Sequence, residues 1–124
     1  MNNKNSSRGK FRALLLAAGY GTRLKPYTTK KPKSLMKIRG IPLLEYWLKN
    51  LENAGCEAVL INTHYLHNKI KKYLDKNFKK YPIQIIYEKK ILGTGGGVKN
   101  IFNYTNRKKI CVVNSDIFWT KKNK

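Results

Sequence analysis

Four short apolar runs, separated by longer segments that mix apolar and charged residues, dominate the sequence and restrict the folds it can adopt. The runs are FRALLL at residues 11–16, AVLIN at 58–62, IQIIYE at 83–88 and ICVV at 110–113. A short apolar run bounded by small or turn-forming residues is typical of a strand buried inside a sheet. We therefore predict a strand at each of these positions.

The segments between these runs carry the spacing of amphipathic helices. Pro42 can open a helix at its first turn, and LLEYWLKNLENAG follows, with apolar residues at helical spacing and Gly55 as a stop. Residues 67–78 repeat the pattern with lysines opposite the apolar stripe, and residues 95–102 predict a short helix entered through a glycine cluster. Strands that alternate with helices predict an α/β fold, in which helices cover both faces of a parallel sheet.

The remaining segments predict irregular structure. Two prolines and two adjacent threonines between residues 24 and 32 favour an extended, irregular connection. The polar residues 1–10 are expected to form a disordered tail and residues 121–124 a second tail, which leaves residues 11–120 as the domain. A length of 124 residues suits one domain.

A large excess of positive charge is the unusual feature of the composition. The chain has 27 Lys and Arg residues against 6 Asp and Glu residues, a formal net charge of +21 at pH 7. Such a chain attracts polyanions without sequence preference. The cations, mostly lysines, are scattered along the chain, whereas nucleic-acid modules more often cluster them on one element. We interpret the charge as a solvated surface and do not expect a nucleic acid as partner, although a basic polyanion-binding protein stays open.

Cysteine usage and hydropathy bear on the compartment. Cys56 and Cys111 are the only cysteines, and their neighbours offer no metal-binding spacing. Both lie in apolar company, so we predict a pair of reduced thiols in the core. No apolar run reaches the roughly 18 residues of a membrane span, and residues 1–10 lack the apolar stretch of a signal peptide. The expected location is the cytoplasm.

The first chemically marked strand end is the loop of residues 19–23, Gly-Tyr-Gly-Thr-Arg, after the first predicted strand. In an open parallel sheet, ligands bind at the crevice where the strands end. Glycines let the backbone approach a phosphate and direct N–H groups at it, and the planar guanidinium of Arg23 suits phosphate oxygens. Lys33 could bring a second cation to the same anion. An ordinary structural turn explains these glycines equally well.

Two further strand ends carry an acidic residue. Glu88 precedes the glycine-rich residues 93–97, where a flat base could lie against the backbone while Glu88 accepts hydrogen bonds from base N–H groups. A flexible loop with a solvent-facing Glu is the alternative. Asp116 offers a hard oxygen ligand of the kind that Mg²⁺ takes together with substrate phosphates, unless it only caps a turn. His64 and His67 lack a completing set of metal ligands and are predicted to be structural.

Taken together, these strand ends resemble a known family. Residues 16–33, LAAGYGTRLKPYTTKKPK, closely resemble the signature of the sugar-1-phosphate nucleotidyltransferases, also called NDP-sugar pyrophosphorylases. The similarity continues through residues 35–44, and LGTGGGVKN and the NSD that ends at Asp116 follow in the order that the family shows. The resemblance covers nearly the whole chain after residue 10.

The resemblance implies both a fold and a set of site residues. The implied fold is a Rossmann-like three-layer sandwich with a mainly parallel sheet, of the nucleotide-diphospho-sugar transferase type, ending here after about four strands. Arg23 and Lys33 are the implied catalytic residues, acting on the triphosphate, and Asp116 is implied to bind Mg²⁺. The residues implied to bind the nucleotide are Leu16, Ala17, Ala18, Gly19, Gly21, Thr22, Glu88, Gly93, Thr94 and Gly95.

The activity implied by the resemblance is transfer of a nucleoside monophosphate from an NTP to a sugar 1-phosphate. Pyrophosphate is released, and the product is an NDP-sugar for cell-envelope or polysaccharide synthesis. Glu88 suits the N–H donors of guanine, which favours GTP. The NSDIFW ending resembles the branch that holds N-acetylmuramate-1-phosphate uridylyltransferase, with mannose-1-phosphate and heptose-1-phosphate guanylyltransferases close behind. UTP and GTP both stay open, with UTP slightly ahead.

Members of this family usually run to twice this length or more, so the chain resembles their N-terminal, NTP-binding half. The further half is expected to carry most of the sugar pocket, a lysine that binds the sugar phosphate and a second metal-binding Asp. We expect a truncated enzyme domain, with a non-catalytic NTP-binding remnant and a polyanion-binding protein as the second and third hypotheses. We also predict self-association through the exposed edge of the fourth strand, unless a missing C-terminal half covers it.

Overall fold

The computed structural model describes residues 11–90, Gly96, Lys99 and residues 109–118. Gly96 and Lys99 are helical; the rest of the helix predicted over residues 95–102 lies outside the described residues, as do both predicted tails. In chain order the elements are strand β1 Phe11–Ala17, the 3₁₀ turns Thr22–Leu24 and Lys33–Leu35, strands β2 Lys37–Ile38 and β3 Ile41–Pro42, helix α1 Leu43–Asn53, strand β4 Cys56–Thr63, helix α2 His67–Asn77, and strands β5 Ile83–Tyr87 and β6 Ile110–Asn114.

Four parallel strands form the main sheet, in the order β5-β4-β1-β6. The register sets Leu15 of β1 between Ile61 of β4 and Val113 of β6. Because all four strands run in the same direction, their carboxyl ends meet at one edge of the sheet. The four predicted strands and the α/β fold class are therefore confirmed. Among the strands that the structure describes, β6 pairs with β1 alone and lies at an outer position.

The apolar residues of the strands alternate between two faces of the sheet, and both α1 and α2 pack on one of them. On that face Leu15 and Ile61 meet Leu48 of α1 and Ile70 of α2, and none of these side chains is exposed to solvent. Each fully buried Leu or Ile contributes roughly 1.5–3 kcal/mol relative to an exposed one. A smaller apolar cluster on the opposite face consists of Leu14, Leu60 and Ile86.

Each helix begins and ends where the backbone geometry changes. Helix α1 follows Pro42, whose φ of −59° suits a first turn, and it ends shortly before Gly55, which has φ +87°. Helix α2 follows Leu66 and ends at Asn77, within a residue of the predicted end. Both predicted helices are confirmed. No helix in the described part of the chain has the length and apolar character needed to cross a membrane.

A polar contact joins the two helices. The Tyr73 hydroxyl of α2 donates a hydrogen bond to the Glu45 carboxylate of α1, and Lys49, one turn further along α1, lies 2.8 Å from the same carboxylate. The hydrogen bond from Lys49, followed by that from Tyr73, lowers the pKa of Glu45. Burial, followed by the hydrogen bond to Glu45, raises the pKa of Tyr73. At neutral pH the contact is therefore between a phenol that donates and a carboxylate that accepts.

The segment after β1 is more regular than predicted. Instead of an extended chain, residues 22–35 form two 3₁₀ turns with tight turns between them, in which the Tyr27 N–H donates to the Leu24 carbonyl at 2.8 Å. The prediction of an extended segment was wrong because the fully buried Thr28 bends the chain back: its hydroxyl donates to the Gly21 carbonyl at 2.7 Å.

Strands β2 and β3 form a small antiparallel hairpin that was not predicted. Arg39 and Gly40, between the strands, have φ of 51° and 79°. Two consecutive residues with positive φ are typical of the tight turn that joins two hairpin strands directly. The hairpin leads the chain from the loop after β1 into α1.

The two cysteines differ in their surroundings. Cys56 is buried, as predicted, and burial raises the pKa of its thiol. Cys111 is exposed, so its predicted place in the core was wrong. Cys111 lies on β6, at the edge of the described sheet, where neighbouring apolar residues in the sequence do not ensure cover from other elements.

Candidate functional site

A cleft of about 350 Å³ opens at the edge of the sheet where the carboxyl ends of the strands meet. Most of the site residues predicted from the sequence come together around it: Leu16, Ala17, Ala18, Gly19, Gly21, Thr22, Arg23, Lys33, Glu88 and Asp116. The other three, Gly93, Thr94 and Gly95, lie outside the described residues. The roles of all these residues in binding and catalysis stay predictions.

The loop after β1 passes so close to the following segment that one of its positions favours glycine on two counts. Gly21 has φ +63°, a conformation that side chains disfavour, and a Cβ there would lie 2.8 Å from Thr28 Cγ2 and 3.3 Å from Lys33 Cβ. The conformation and the lack of space both exclude a relaxed side chain. This packing brings Lys33 beside the loop that carries Arg23.

Two oppositely charged side chains from distant parts of the sequence meet in the cleft. Lys33 Nζ lies 2.9 Å from Asp116 Oδ2, and the two side chains are 32% and 45% exposed. At this exposure solvent screens the ion pair, so it contributes little to stability. It does bring an ammonium and a carboxylate to one corner of the cleft, where Lys33 can attract a phosphate and Asp116 a cation.

The donor set at this corner fits a cation that is bound together with a substrate. Within residues 11–90, Gly96, Lys99 and residues 109–118, no three His, Cys, Asp or Glu side chains come together as possible metal ligands. Asp116 therefore offers one carboxylate. That is too little for a closed protein site, but it suits Mg²⁺, which keeps several waters and completes its coordination with substrate phosphates.

A buried amide that the sequence reasoning missed joins two of the predicted site residues. Asn62 is 2% exposed; its Oδ1 accepts a hydrogen bond from the Ala17 N–H at 2.8 Å, and its Nδ2 donates to Glu88 Oε1 at 2.8 Å. Glu88 is itself only 4% exposed, so the alternative of a solvent-facing Glu was wrong. Asn62 is the polar residue that ends the apolar run AVLIN, one position before the end of β4, and this pattern could have identified it.

Three further polar residues of the cleft were also missed. The Ser115 hydroxyl donates to the Leu16 carbonyl at 2.7 Å and closes the loop after β6 onto β1. Asn114, at the end of β6, is in register with Leu16. Ser34 is 3% exposed, and its hydroxyl oxygen has no hydrogen-bond partner among the described residues. Buried hydroxyls are normally bonded, so Ser34 is a group that a bound phosphate or an ordered water would satisfy.

Two histidines near the cleft bind other protein groups. His64 Nδ1 donates to the Glu88 backbone carbonyl at 2.6 Å, so in a neutral ring Nε2 accepts from the Tyr20 hydroxyl at 3.2 Å. His67 Nδ1 lies 2.6 Å from Thr63 Oγ1. These contacts agree with the structural role predicted for both residues.

Comparison with known proteins relates this chain to enzymes. Residues 12–123 match the family described as Nucleotidyl transferase. N-acetylmuramate alpha-1-phosphate uridylyltransferase of Caulobacter vibrioides is 32% identical to it, with 86% of this chain and 46% of the relative covered. D-glycero-alpha-D-manno-heptose 1-phosphate guanylyltransferase of Aneurinibacillus thermoaerophilus is 31% identical, with 84% of this chain and 45% of the relative covered.

A solved structure extends the comparison to the fold. The crystal structure of HddC from Yersinia pseudotuberculosis complexed with GMP-PN has a TM-score of 0.76 and 32% identity, with 85% of this chain and 47% of that chain covered. Together with the parallel sheet, this likeness confirms the predicted Rossmann-like fold. The chain spans about half the length of the curated relatives described above.

Proposed function

Because the chain belongs to the nucleotidyl transferase family, as the resemblance predicted, we propose that it forms the NTP-binding half of a sugar-1-phosphate nucleotidyltransferase. The observation that carries the proposal is the composition of the cleft. Arg23, Lys33 and Asp116 border it together with the glycine loop after β1, and the buried Glu88 lines it from the end of β5. Charged groups suited to a triphosphate thus share one cleft with a buried acceptor suited to a base.

The proposed reaction transfers a nucleoside monophosphate. An oxygen of the sugar 1-phosphate attacks the α-phosphorus of the NTP in line, and the bond from the α-phosphorus to the bridging oxygen breaks, so that pyrophosphate leaves with the electron pair. No covalent link to the protein is needed, and the side chains act by positioning and charge stabilisation. Arg23 and Lys33 supply two cations for phosphate oxygens, and the glycine loop supplies backbone N–H groups.

We further propose Mg²⁺ as the metal ion of this site, with Asp116 as its protein ligand. When bound, Mg²⁺ would offset the negative charge of the phosphates. Asp116 would then exchange its ion pair with Lys33 for a bond to the metal ion. Lys33, released from Asp116, would be left to bind phosphate oxygens. A weak, half-exposed ion pair supports this exchange because little stability is lost when it opens.

The proposed nucleotides are UTP and GTP. The relatives are named as a uridylyltransferase and a guanylyltransferase, which supports both. At the protein side, Glu88 is held in the cleft with one carboxylate oxygen hydrogen-bonded to Asn62. A buried carboxylate oxygen is an acceptor, and it suits the N–H groups on the edges of guanine and uracil.

The sugar 1-phosphate needs groups beyond those described. Since the relatives are about twice as long, we propose that a further, C-terminal half supplies the sugar pocket. Among the described strands β6 is outermost, and we propose that further residues of the chain or another copy of it pair with the outer edge of β6, because an unpaired strand edge invites pairing. We also propose a reducing, cytoplasmic location, since Cys56 and Cys111 are both free thiols.

Ligand-induced thermal stabilisation tests the proposal. The melting temperature of the chain would be measured with Mg²⁺ and, in turn, UTP, GTP, ATP, CTP and tripolyphosphate. A ligand at a hundred times its dissociation constant adds about 2.7 kcal/mol to the free energy of unfolding, which raises the midpoint measurably. The test variant is Arg23→Ala, and the matched control is Arg39→Ala, which removes the same charge from an exposed hairpin turn outside the cleft.

The proposal predicts stabilisation by UTP or GTP beyond that by tripolyphosphate, lost in Arg23→Ala and retained in Arg39→Ala. Equal stabilisation by every NTP and by tripolyphosphate, weakened alike in both variants, would refute it. That result would instead indicate diffuse attraction of polyanions to the net charge of +21.

A further inference from the structure

We infer, on the basis of the proposed function, that Asn62 is the positioning residue that makes this site select guanine and uracil over adenine and cytosine. Asn62 does so through Glu88, whose carboxylate it holds as a hydrogen-bond acceptor. The inference adds to the predicted contact between Glu88 and the base a residue that fixes the direction of that contact.

The hydrogen bonds of Asn62 determine which way its amide points. The backbone N–H of Ala17 can only donate, so the amide atom that faces it at 2.8 Å must be the carbonyl oxygen. The amino end of Asn62 therefore faces Glu88, with 2.8 Å between Nδ2 and Oε1. Because an amino group only donates, this oxygen of Glu88 must accept.

The geometry leaves this pair little freedom to rearrange. Asn62 lies within β4, in register with Leu16 of β1, and is 2% exposed. Glu88 follows the end of β5 and is tied to β4 through its backbone as well, because its N–H donates to the Thr63 carbonyl at 2.7 Å and its carbonyl accepts from His64 at 2.6 Å. Both the backbone and the carboxylate of Glu88 are thus fixed relative to the strand that carries Asn62.

A carboxylate held in this way distinguishes bases by their ring edge. Guanine at N1 and uracil at N3 carry an N–H that donates a hydrogen bond to the carboxylate. Adenine at N1 and cytosine at N3 present a lone pair instead, which a carboxylate repels. A site built to accept a hydrogen bond from its ligand rejects an analogue that presents a lone pair to the same acceptor more strongly than an apolar pocket rejects a change of size. A fixed acceptor that faces this ring nitrogen therefore favours GTP and UTP together.

The substitution Asn62→Asp reverses the polarity of the contact. The new carboxylate can still accept from the Ala17 N–H, but it faces the carboxylate of Glu88 at hydrogen-bond distance. Two carboxylates this close do not both ionise, so they share a proton or move apart. In either case Glu88 is no longer a fixed acceptor for the base.

The matched control is Asn114→Asp, because Asn114 is the counterpart of Asn62 on the other side of the central strand. Both residues are in register with Leu16, both line the cleft, and both substitutions replace an amide with a carboxyl group. Asn114 lies on β6, separated from Glu88 by the strands β1 and β4. A general effect of a carboxyl group on triphosphate binding should therefore appear in both variants, whereas a change of base preference should appear only in Asn62→Asp.

The measurement is the dissociation constant of the chain with Mg²⁺ for GTP, UTP, ATP, CTP and tripolyphosphate. For Asn62→Asp we expect the preference for GTP and UTP over ATP and CTP to fall by about tenfold or more, the value of one hydrogen bond to a charged group. For Asn114→Asp we expect weaker binding of all four nucleotides with the preference retained. A loss of stability alone, as from a merely structural role, would not change this ratio.

The double variant Asn62→Asp with Glu88→Gln tests the inference even if the single variant does not fold. Here the carboxylate introduced at position 62 would accept from the Ala17 N–H and from the amide introduced at position 88. The contact between positions 62 and 88 is then restored with its direction reversed, and because the amino group of the amide at 88 donates to position 62, its oxygen stays fixed as an acceptor. We expect a folded chain that keeps the preference for GTP and UTP, whereas Glu88→Gln alone should lose it, because Asn62 Nδ2 then holds the amide oxygen and leaves the amide N–H for the base.

The outcomes separate this inference from the proposed function. An intact preference for GTP and UTP in Asn62→Asp, or the same preference in Glu88→Gln as in the double variant, would overturn the role of Asn62 and leave the proposed function standing. Equal binding of all NTPs and tripolyphosphate by the unsubstituted chain would overturn both.

Discussion

Because Gly21 lies so close to Thr28, we predict that the substitution Gly21→Ala strongly destabilises the fold. Backbone conformation and steric overlap both act against the alanine. The φ of +63° is a left-handed conformation, which costs an L-residue about 1–2 kcal/mol. The new Cβ would also lie 2.8 Å from Thr28 Cγ2, and overpacking of this kind costs about 1–3 kcal/mol. We therefore expect Gly21→Ala to lower the free energy of unfolding by about 2–5 kcal/mol.

Two further variants separate the terms. Gly55 also has a positive φ, +87°, but nothing lies within 4 Å of the place where its Cβ would be. Gly55→Ala should therefore cost only the conformational term of about 1–2 kcal/mol. Thr28→Ser removes the methyl group that clashes and keeps the hydroxyl that donates to the Gly21 carbonyl. In the Gly21→Ala background it should restore part of the lost stability, whereas alone it should cost about 0.5–1.5 kcal/mol.

Urea denaturation monitored by circular dichroism measures all four variants, with the midpoint compared at constant slope. The expected coupling between Gly21→Ala and Thr28→Ser in the double-mutant cycle is stabilising and at least about 1 kcal/mol. Equal losses for Gly21→Ala and Gly55→Ala, or additive effects of Gly21→Ala and Thr28→Ser, would refute the close approach on which the reasoning depends.

Three further predictions concern residues outside the cleft. Hydrogen bonds from Lys49 and Tyr73 lower the pKa of Glu45, so its contribution to stability is present above the usual pKa of 4.5 and is lost as the pH falls through the folded value. The difference in the free energy of unfolding between Glu45→Gln and the unsubstituted chain, measured by urea titration, should therefore become smaller at lower pH. A thiol reagent should label exposed Cys111 in the folded chain and buried Cys56 only after unfolding, as mass spectrometry can read. Leu48→Ala should lower the free energy of unfolding by about 2–5 kcal/mol, since Leu48 is 0% exposed.

The strands and helices could be predicted because their signal is local. Each buried strand is a short apolar run, and each helix is a stripe of apolar residues, whatever element they later contact. The position of Cys111 could not be predicted in this way. Whether a strand is central or at an edge depends on the strand order β5-β4-β1-β6, which no local pattern encodes.

Some residues of the candidate site could likewise be predicted from local sequence, and others could not. The loop with Arg23, the lysine at 33 and the acidic residues at 88 and 116 were named from the sequence because they stand next to strand ends and match a family signature. Asn62 was missed because its function in the site is a contact with a residue 26 positions further on. The turns after β1 were missed for the same reason, since Thr28 bonds backwards to Gly21 through its side chain.

The parallel sheet also fixes the spacing between residues at the ends of its strands. Glu88 follows β5 and Asp116 follows β6, the two outermost strands of the order β5-β4-β1-β6. Adjacent strands lie about 4.8 Å apart, so three such steps place the ends of these two strands about 14 Å apart along the sheet. The spacing of the strand ends that carry these two residues is thus set by backbone hydrogen bonding between strands. Changes of loop sequence that leave this hydrogen bonding intact leave the spacing of the strand ends unchanged.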